Sequence, residues 1–289
     1  MRKKHILLIL FNLLYSLSLS YVLFNHVFTG RINIHSLVYA VGFGLLSIMY
    51  GFLIGDLKNA FLGYLLSMGL GVLFTVLLVR YPIQVNIGSL AAELVTIYSL
   101  RNAVVYVLLV ISPISLIFLP LGIYLSTMTN RSRIIEIGYI LFSLLLLTLL
   151  AYNYADYNSR VYSIKLLNVE VKEADVYIKS EKAYLNVTYV LLNHGTKNIE
   201  ISMTIYKIHF GSEIARTYTE NFYGSPLISS PSKALSRSVS IEVPLFKLTR
   251  NMVNGKVRVS IIIEMYIKTR FGITPITFEY TNLLPILQL

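Results

Sequence analysis

The sequence contains no cysteine and no tryptophan, and only 13% of its 289 residues are Asp, Glu, Lys or Arg. The missing cysteine excludes disulfides, thiolate metal sites and thiol nucleophiles, but it leaves the cellular compartment open. A soluble globular domain carries about 25% charged residues, so this chain has roughly half the charge that a water-exposed surface needs. With 55% hydrophobic residues and a mean hydropathy of +0.66, the composition indicates a membrane protein.

The net charge of +11 is spread over the whole chain. Residues 1–156 include nine basic and four acidic residues, and residues 157–289 include 16 basic and ten acidic ones. After Arg2–Lys4 the basic residues are scattered singly. Such scatter favours attraction to anionic lipid or an envelope polymer over a phosphate-binding stripe, so we expect no nucleic-acid partner.

The first half of the chain contains five apolar stretches that are each long enough to cross about 30 Å of hydrocarbon at 1.5 Å per residue. They lie at 6–28, 36–55, 59–79, 102–126 and 134–152. Each must be helical, because a helix satisfies all its backbone groups within one segment. We therefore predict a five-helix transmembrane domain over residues 1–156. The first stretch is predicted to be an uncleaved anchor, since it is longer than the apolar region of a typical signal peptide.

Basic residues near the helix ends predict the orientation of this domain. The short inner flanks contain six of them, Arg2, Lys3, Lys4, Lys58, Arg131 and Arg133, and the short outer loops contain Arg31, Arg80 and Arg101. This bias favours a cytoplasmic N-terminus. Five crossings then make residues 157–289 an extracytoplasmic domain of a multi-pass plasma-membrane protein.

The segment 80–101 is the main uncertainty in that count. An apolar stripe formed by Leu90, Leu94 and Ile97 indicates a helix. Pro82, Glu93 and other polar residues argue against a sixth crossing, so we expect an interfacial helix on the outer face. The alternative, a sixth crossing, would place the C-terminal domain in the cytoplasm.

Small residues recur every four positions in the second and third helices, as Ser47, Gly51 and Gly55 and as Gly63, Ser67 and Gly71. Small side chains at this spacing let helix backbones approach closely in lipid. The short connection at 56–59 predicts that these two helices are antiparallel neighbours. We expect intramolecular packing; a homo-oligomer seam is the alternative.

No catalytic, cofactor or metal site is predicted. Charged side chains at the centre of a bilayer mark ion or proton paths, and the five stretches have none at that depth. His26 and His35 flank the first outer loop and could share a metal, but no carboxylate or third histidine lies near them in sequence. Their default interpretation is as ordinary surface histidines.

After residue 157 the hydrophobic period changes from helical to two. The longest example has Val257, Val259, Ile261, Ile263, Met265 and Ile267 on one face. Similar alternation at 185–191, 199–210 and 239–243, with turn residues between them, predicts about eight short strands. The others are placed at 163–172, 175–179, 214–222 and 273–281, with a bulge near Tyr206–Lys207. This spacing is typical of a β-sandwich.

One part of this domain resembles a known family. Residues 182–244 read KAYLNVTYVLLNHGTKNIEISMTIYKIHFGSEIARTYTENFYGSPLISSPSKALSRSVSIEVP. The stretch resembles the late embryogenesis abundant type 2 (water-stress and hypersensitive-response) domain in its strand ending at Asn193, its polar turn at Gly211 and its small-polar turn at Ser229–Ser232. The resemblance implies an immunoglobulin-like or fibronectin-type-III-like sandwich, often membrane-tethered, with no catalytic residues.

Two classes of function follow. The first is a non-enzymatic membrane protein that displays an extracytoplasmic sandwich for partner binding or envelope organisation. The alternative is a transporter, a channel or an accessory subunit of a transport complex; a membrane enzyme ranks third. Expected partners are the lipid bilayer and a protein or second copy bound through the helices or the sandwich. A sequon at Asn186 lies on the predicted polar strand face and is a candidate glycosylation site.

Overall fold

A computed structural model describes residues 2–29, 34–129, 133–222, 224–269 and 272–288 of the chain. The chain divides into two compact units, residues 1–158 and 159–289. The first is helical and the second is built mainly of strands, which confirms the predicted helical N-terminal part and β C-terminal part. The loop residues Arg31 and Arg131, used in the orientation argument, lie outside the described residues.

The described residues of the first unit form six helices, and the last of them ends at Lys165, within the residues of the second unit. They are α1 Arg2–Thr29, α2 Ile34–Ile54, α3 Leu57–Asn86, α4 Ser89–Tyr106, α5 Ser112–Met128 and α6 Arg133–Lys165. A π-helical turn at Val107–Ile111 joins α4 to α5 without a break. Counting this 40-residue rod once, the described residues contain five helices long and apolar enough to cross a membrane. The predicted number of helices that are long and apolar enough to cross a membrane is therefore confirmed.

The segment 80–101 is not a separate helix, which corrects the predicted bounds, whereas its placement at the interface stays a prediction. Its first residues extend α3 to Asn86, and its remainder belongs to α4. Gly88 separates the two helices, because its φ of +139° lies where side-chain-bearing residues rarely go. At 1.5 Å per residue α3 is about 45 Å long and the α4–α5 rod about 60 Å, both longer than a hydrocarbon core of about 30 Å.

The α2–α3 turn shows how local chemistry ends one helix and starts the next. Gly55 closes α2 with a φ of +66°, the left-handed conformation in which glycine is favoured. The Asp56 carboxylate then accepts a hydrogen bond from the Asn59 amide at 2.9 Å. It thereby caps the first turn of α3. Only Gly55 and Asp56 lie between α2 and α3, so the connection is shorter than the one predicted at 56–59.

The second unit contains nine strands among its described residues. They are β1 Leu167–Lys179, β2 Lys182–Asn193, β3 Ile199–Phe210, β4 Glu213–Asn221, β5 Leu227–Ser229, β6 Ala234–Val243, β7 Met252–Val253, β8 Lys256–Thr269 and β9 Gly272–Gln288, with helix α7 at Leu245–Arg250. The main order is β4-β3-β8-β9-β1-β2-β6, with β5 on β3 and β7 on β8. All these pairs are antiparallel except β1 with β9.

The sheet curls into a half-barrel whose concave side is the core. The predicted alternation is confirmed in β8, where all six residues of the apolar face are buried: Val257, Val259, Ile261, Ile263, Met265 and Ile267. The alternating residues Leu185, Val187 and Leu191 of β2 are buried in the same way. An all-β domain is therefore confirmed. An immunoglobulin-like or fibronectin-type-III-like sandwich of two facing sheets stays a prediction.

Two details of the strand prediction were wrong. The pieces placed at 163–172 and 175–179 form one strand, β1, with a register shift between Val171 and Glu173. The change of buried face in β3 occurs at Ser202 instead of near Tyr206–Lys207, because the register against β8 shifts between Ile201 and Met203. The Ser202 hydroxyl donates to the Tyr266 carbonyl at 2.9 Å, which stabilises this irregular position.

Candidate functional site

The helical unit exposes apolar side chains and buries polar ones. Leu66 and Ile117 are 64% and 69% exposed, and many further Leu, Ile and Val side chains on every helix are exposed as well. The buried side chains include a set of hydroxyls, Ser16, Ser18, Ser20, Ser47, Ser67, Thr75, Ser99, Ser115 and Ser143. This is the reverse of the pattern in a water-soluble domain.

Tyrosine and serine hydroxyls connect three helices at the centre of this interior. The Tyr15 hydroxyl on α1 lies 2.6 Å from the Ser47 hydroxyl on α2. The Ser47 hydroxyl lies 3.3 Å from that of Ser115 on α5. The ring of Tyr15 stacks on that of Tyr50 with centroids 4.6 Å apart. We call the residues that form these contacts, and those hydrogen-bonded to α1, the interior cluster: Tyr15, Ser47, Ser115, Phe11, Asn12, Tyr50, Ser67 and Tyr139.

Helix α1 receives hydrogen bonds from three other helices. The Tyr50 hydroxyl of α2 donates to the Asn12 side-chain carbonyl. The Ser67 hydroxyl of α3 donates to the Asn12 backbone carbonyl at 3.1 Å, and the Tyr139 hydroxyl of α6 donates to the Phe11 carbonyl at 2.8 Å. Hydroxyl-to-carbonyl bonds of this kind hold helices together where apolar burial gives no preference between neighbours.

The predicted small-residue stripes lie at two close helix contacts. A methyl group on Gly51 of α2 would overlap the Leu119 carbonyl of α5, and one on Gly71 of α3 would lie 2.9 Å from the Leu19 side chain of α1. A methyl group on Gly63 would overlap the Tyr50 hydroxyl. Ser47 and Ser67 belong to the interior cluster, and Gly55 forms the turn. The stripe on α2 therefore faces α5 at Gly51, and the stripe on α3 faces α1 at Gly71 and α2 at Gly63.

Among the described residues, the polar groups buried in the helical interior are hydroxyls, amides and the imidazole of His26, which the sequence led us to expect at the surface. Within the described ranges, no group of three His, Asp or Glu side chains is placed to hold a metal ion. Three buried hydroxyls, those of Ser18, Tyr64 and Ser143, have no hydrogen-bond partner in the described structure. Such groups can donate to a neutral polar molecule, but they offer neither a carboxylate nor an activated nucleophile.

A second polar group joins the two ends of the curled sheet in the β unit. The Tyr206 hydroxyl on β3 donates to Glu220 Oε2 on β4 at 2.7 Å. The Tyr189 hydroxyl on β2 lies 2.7 Å from that of Tyr206, and it must be the donor because Tyr206 has already used its proton. Arg237 on β6 places Nη2 3.4 Å from Glu220 Oε1. We call these four residues the edge network.

The edge network holds the half-barrel closed on one side. Strands β4 and β6 are the two ends of the sheet order, and the Glu220–Arg237 pair connects them. Burial, with the neighbouring Tyr189 and Glu220, raises the pKa of the Tyr206 hydroxyl above its ordinary value. Burial likewise raises the pKa of Tyr189. Both hydroxyls therefore remain protonated donors at neutral pH.

The remaining predicted positions lie on the surface of the β unit. Asn186 is exposed in the middle of β2, and Thr188 beside it shares a 3.0 Å hydrogen bond with Ser238. Glycosylation of Asn186 stays a prediction.

Sequence reasoning missed both polar groups. Tyr15, Tyr50 and Tyr139 looked like ordinary apolar positions of long helices, and no periodic signal distinguishes a tyrosine that bonds to another helix from one that faces lipid. Tyr189 was counted among the alternating residues of its strand, and Tyr206 was placed at a bulge. Only the closure of the sheet brings Glu220 and Arg237 next to them.

No protein-family model matches the chain, and no curated protein matches it. Three of the solved structures that resemble parts of it have low identity and low scores. A crystal structure of a protein from Archaeoglobus fulgidus is 14% identical, covers 41% of this chain and 94% of that one, and has a TM-score of 0.31. A solution structure from Arabidopsis thaliana is 15% identical, with coverages of 42% and 82% and a TM-score of 0.35.

The third is a solution structure of a protein described as late embryogenesis abundant. It is 12% identical, covers 54% of this chain and 91% of that one, and has a TM-score of 0.32. Weak structural neighbours thus include a protein of the kind that the sequence resemblance named. At these scores the likenesses assign neither a family nor a function, and membership of the family stays a prediction.

Proposed function

We propose that this is a multi-pass protein of the plasma membrane that displays an extracytoplasmic β domain, which binds a partner or organises the cell envelope without catalysing a reaction. Residues 1–156 are the membrane anchor, with the N-terminus in the cytoplasm, and residues 157–289 are the displayed domain. The observation that carries the proposal is the apolar exterior of the helices around a polar interior.

That exterior is costly in water and favourable in lipid. Covering a Leu or Ile side chain with apolar surroundings stabilises it by about 1.5–3 kcal/mol, and exposed residues such as Leu66, Leu109 and Ile117 occur on several helices. Apolar patches above a few hundred Å² are rare on soluble monomers. The buried hydroxyls complete the argument, because in a bilayer polar groups must find partners inside the protein.

The anchor role is supported by how tightly the helices pack. At Gly51 and Gly122 the backbones of α2 and α5 approach so closely that a methyl group would overlap a carbonyl oxygen. The interior cluster uses most of its hydroxyls in bonds between helices. Together with the absence of charged residues at mid-membrane in the sequence, this favours a static anchor over an ion or proton path.

Transport is the second candidate, and the α4–α5 rod is the observation that favours it. A π-helical turn at Val107–Ile111 interrupts the rod, and Pro120 follows within α5. Tyr106, just before the turn, stacks on the buried His26 ring at 3.8 Å. Irregular helices of this kind are frequent at functional sites and in transporters. Transport of a neutral solute by purified protein in sealed vesicles would favour this role over display alone.

Single cysteines test the proposed topology, since the native chain has none. Lys58→Cys lies in the predicted cytoplasmic turn and Ser232→Cys in a turn of the β domain, and both positions are exposed. In intact cells a membrane-impermeant maleimide should label only Ser232→Cys, and after lysis it should label both. Labelling of Lys58→Cys in intact cells, or protection of Ser232→Cys, contradicts the proposal.

A further inference from the structure

One end of the β unit exposes large apolar side chains. The chain enters the unit near Leu167, at the end of the sheet where Leu167 pairs with Asn193. At the opposite end, α7 and β7 follow β6, and the β3–β4 turn lies beside them. Here Phe246 is 67% exposed, Val253 69%, Ile214 54% and Met252 44%. We call these four residues, together with the nearby basic residues Lys247, Arg250, Lys256 and Arg258, the tip.

The backbone of the tip is fixed by hydrogen bonds. Lys247 Nζ donates to the Ile214 carbonyl at 2.7 Å, which joins α7 to the β3–β4 turn. The Asn251 side chain donates to the Lys247 carbonyl at 2.9 Å. Met252 and Val253 pair with the first residues of β8 in a short hairpin. The backbone that bears the exposed apolar side chains is thus fixed by these hydrogen bonds.

The tip is also positively charged. From Glu242 to Glu264 the chain contains four basic residues and no acidic residue between these two glutamates. Arg250, Lys256 and Arg258 are exposed, and Lys247 pairs with Glu213 at 3.5 Å. Phe246 and Val253 therefore have cationic neighbours in sequence and across the hairpin.

Apolar side chains beside several cations match the chemistry of one kind of surface. At a bilayer interface, apolar residues enter the boundary between headgroups and acyl chains, while Lys and Arg remain at the phosphates of anionic lipids. A purely electrostatic partner would not require the exposed Phe and Val. A purely apolar protein partner would not be helped by uncompensated cations around its contact.

We propose that the tip binds the surface of a bilayer that contains anionic phospholipid, with Phe246 and Val253 entering the headgroup region. The inference rests on the proposed function and deepens it, since it names a lipid surface as the partner of the displayed domain. Arg250, Lys256 and Arg258 supply the attraction to the lipid phosphates.

The test uses the full chain in phosphatidylcholine nanodiscs, with a fluorophore on a single cysteine. Thr249→Cys places the fluorophore on α7 within the tip, and Thr219→Cys places it on exposed β4 as a control. Vesicles of phosphatidylcholine, with or without phosphatidylglycerol, are added, and binding is measured by flotation. A quencher on the lipids of either the vesicle or the nanodisc reports which bilayer the tip enters.

We expect binding to phosphatidylglycerol vesicles and quenching at Thr249→Cys but not at Thr219→Cys. Arg250→Glu/Lys256→Glu should lower the vesicle affinity by more than about tenfold, and Phe246→Ser/Val253→Ser should abolish quenching. The control Lys172→Glu/Lys233→Glu makes the same change of net charge elsewhere and should retain binding. Thermal unfolding in detergent checks that each variant is folded.

The proposal is overturned if folded protein does not bind, if both charge-reversed variants lose binding equally, or if Phe246→Ser/Val253→Ser is quenched like the native tip. A protein partner is then the better interpretation of the tip. Because a nanodisc leaves both faces accessible, this result does not depend on the sidedness of the chain. The cysteine labelling in cells judges the proposed function separately.

Discussion

The two units of this protein place the same kinds of side chain in opposite positions. In the helical unit Leu66 is exposed, whereas Tyr15 and Ser47 are buried and bonded to each other. In the β unit Val257 and Ile261 are buried, whereas Asn186 is exposed. The difference teaches that composition alone does not determine which side chains are inside. On the proposed function, the first unit exposes side chains that suit lipid and the second exposes mainly side chains that suit water.

A charge on an exposed apolar position should therefore strongly lower the yield of integrated protein in the helical unit and have little effect in the β unit. Leu66→Arg replaces a 64% exposed residue of α3, and Ile228→Arg replaces a 49% exposed residue of β5. An arginine at the centre of a membrane helix costs about 2.5–3.5 kcal/mol of insertion free energy. A surface substitution in water usually changes stability by less than about 0.5 kcal/mol.

The membrane-integrated yield, measured after alkaline extraction, should fall strongly for Leu66→Arg and stay at the native level for Ile228→Arg. Equal yields for the two variants would mean that α3 does not face lipid. The comparison of the two units would then lose its physical basis.

The close helix contacts give the next largest effect. The Cβ atom of Gly51→Leu would overlap the Leu119 carbonyl, whereas a Cβ atom at Gly42 of the same helix would meet nothing within 4 Å. Overpacking costs about 1–3 kcal/mol of stability in a well-packed core. In detergent, Gly51→Leu should lower the thermal midpoint clearly, and Gly42→Leu should not.

The pair Gly71→Leu and Gly69→Leu repeats this test on α3, since Gly71 faces Leu19 of α1 and Gly69 has open space. If all four variants unfold at the same temperature, the stripes are not packing surfaces within one chain. Loss of a dimer without loss of stability would instead indicate the oligomer seam.

Patterns that extend over many residues of the sequence predicted more of the fold than of the candidate functional site. Five apolar stretches were enough to count the helices that are long and apolar enough to cross a membrane. The alternation from Val257 to Ile267 was enough to place β8. A separate helix at 80–101 was predicted because Arg80, Glu93 and Arg101 looked interfacial, but the segment is divided between α3 and α4. Spacing also gives the face of a helix but not its neighbour, so Gly51 and Gly71 were found and their partners were not.

The polar groups were beyond sequence reasoning for a related physical reason. A hydroxyl bond such as Tyr139 to the Phe11 carbonyl joins residues 128 positions apart. The edge network likewise depends on a curled sheet in which β4 and β6, the two ends of the strand order, come together. Nothing local in Glu220 or Arg237 specifies that meeting.

The edge network should make the β unit sensitive to alkaline pH, with a smaller effect than the changes above. The raised pKa of Tyr206 in the fold means that the folded state keeps a proton that the unfolded chain loses above about pH 10. Its contribution to stability is thus complete below that pH and falls as the pH rises further. Tyr206→Phe should cost about 1 kcal/mol at neutral pH, the usual value of a hydrogen bond, and should flatten this alkaline loss.

Hydrogen–deuterium exchange of the β3–β4 region at several pH values measures both effects. Tyr218→Phe is the matched control, because Tyr218 lies beside Tyr206 but is exposed and outside the network. An identical pH profile for Tyr206→Phe and the native protein would show that the network does not close the half-barrel.

The most direct test of the account is to separate the β domain from its anchor. Residues 160–289 should fold in water without lipid or detergent, because their apolar side chains are largely inside, and the net charge of +6 that follows from 16 basic and ten acidic residues favours solubility. We predict a β-rich far-ultraviolet circular dichroism spectrum, dispersed amide signals in a proton–nitrogen NMR correlation spectrum and a cooperative melt. A soluble but disordered chain would show that the two units form one folding unit, which contradicts a β domain displayed on a separate membrane anchor.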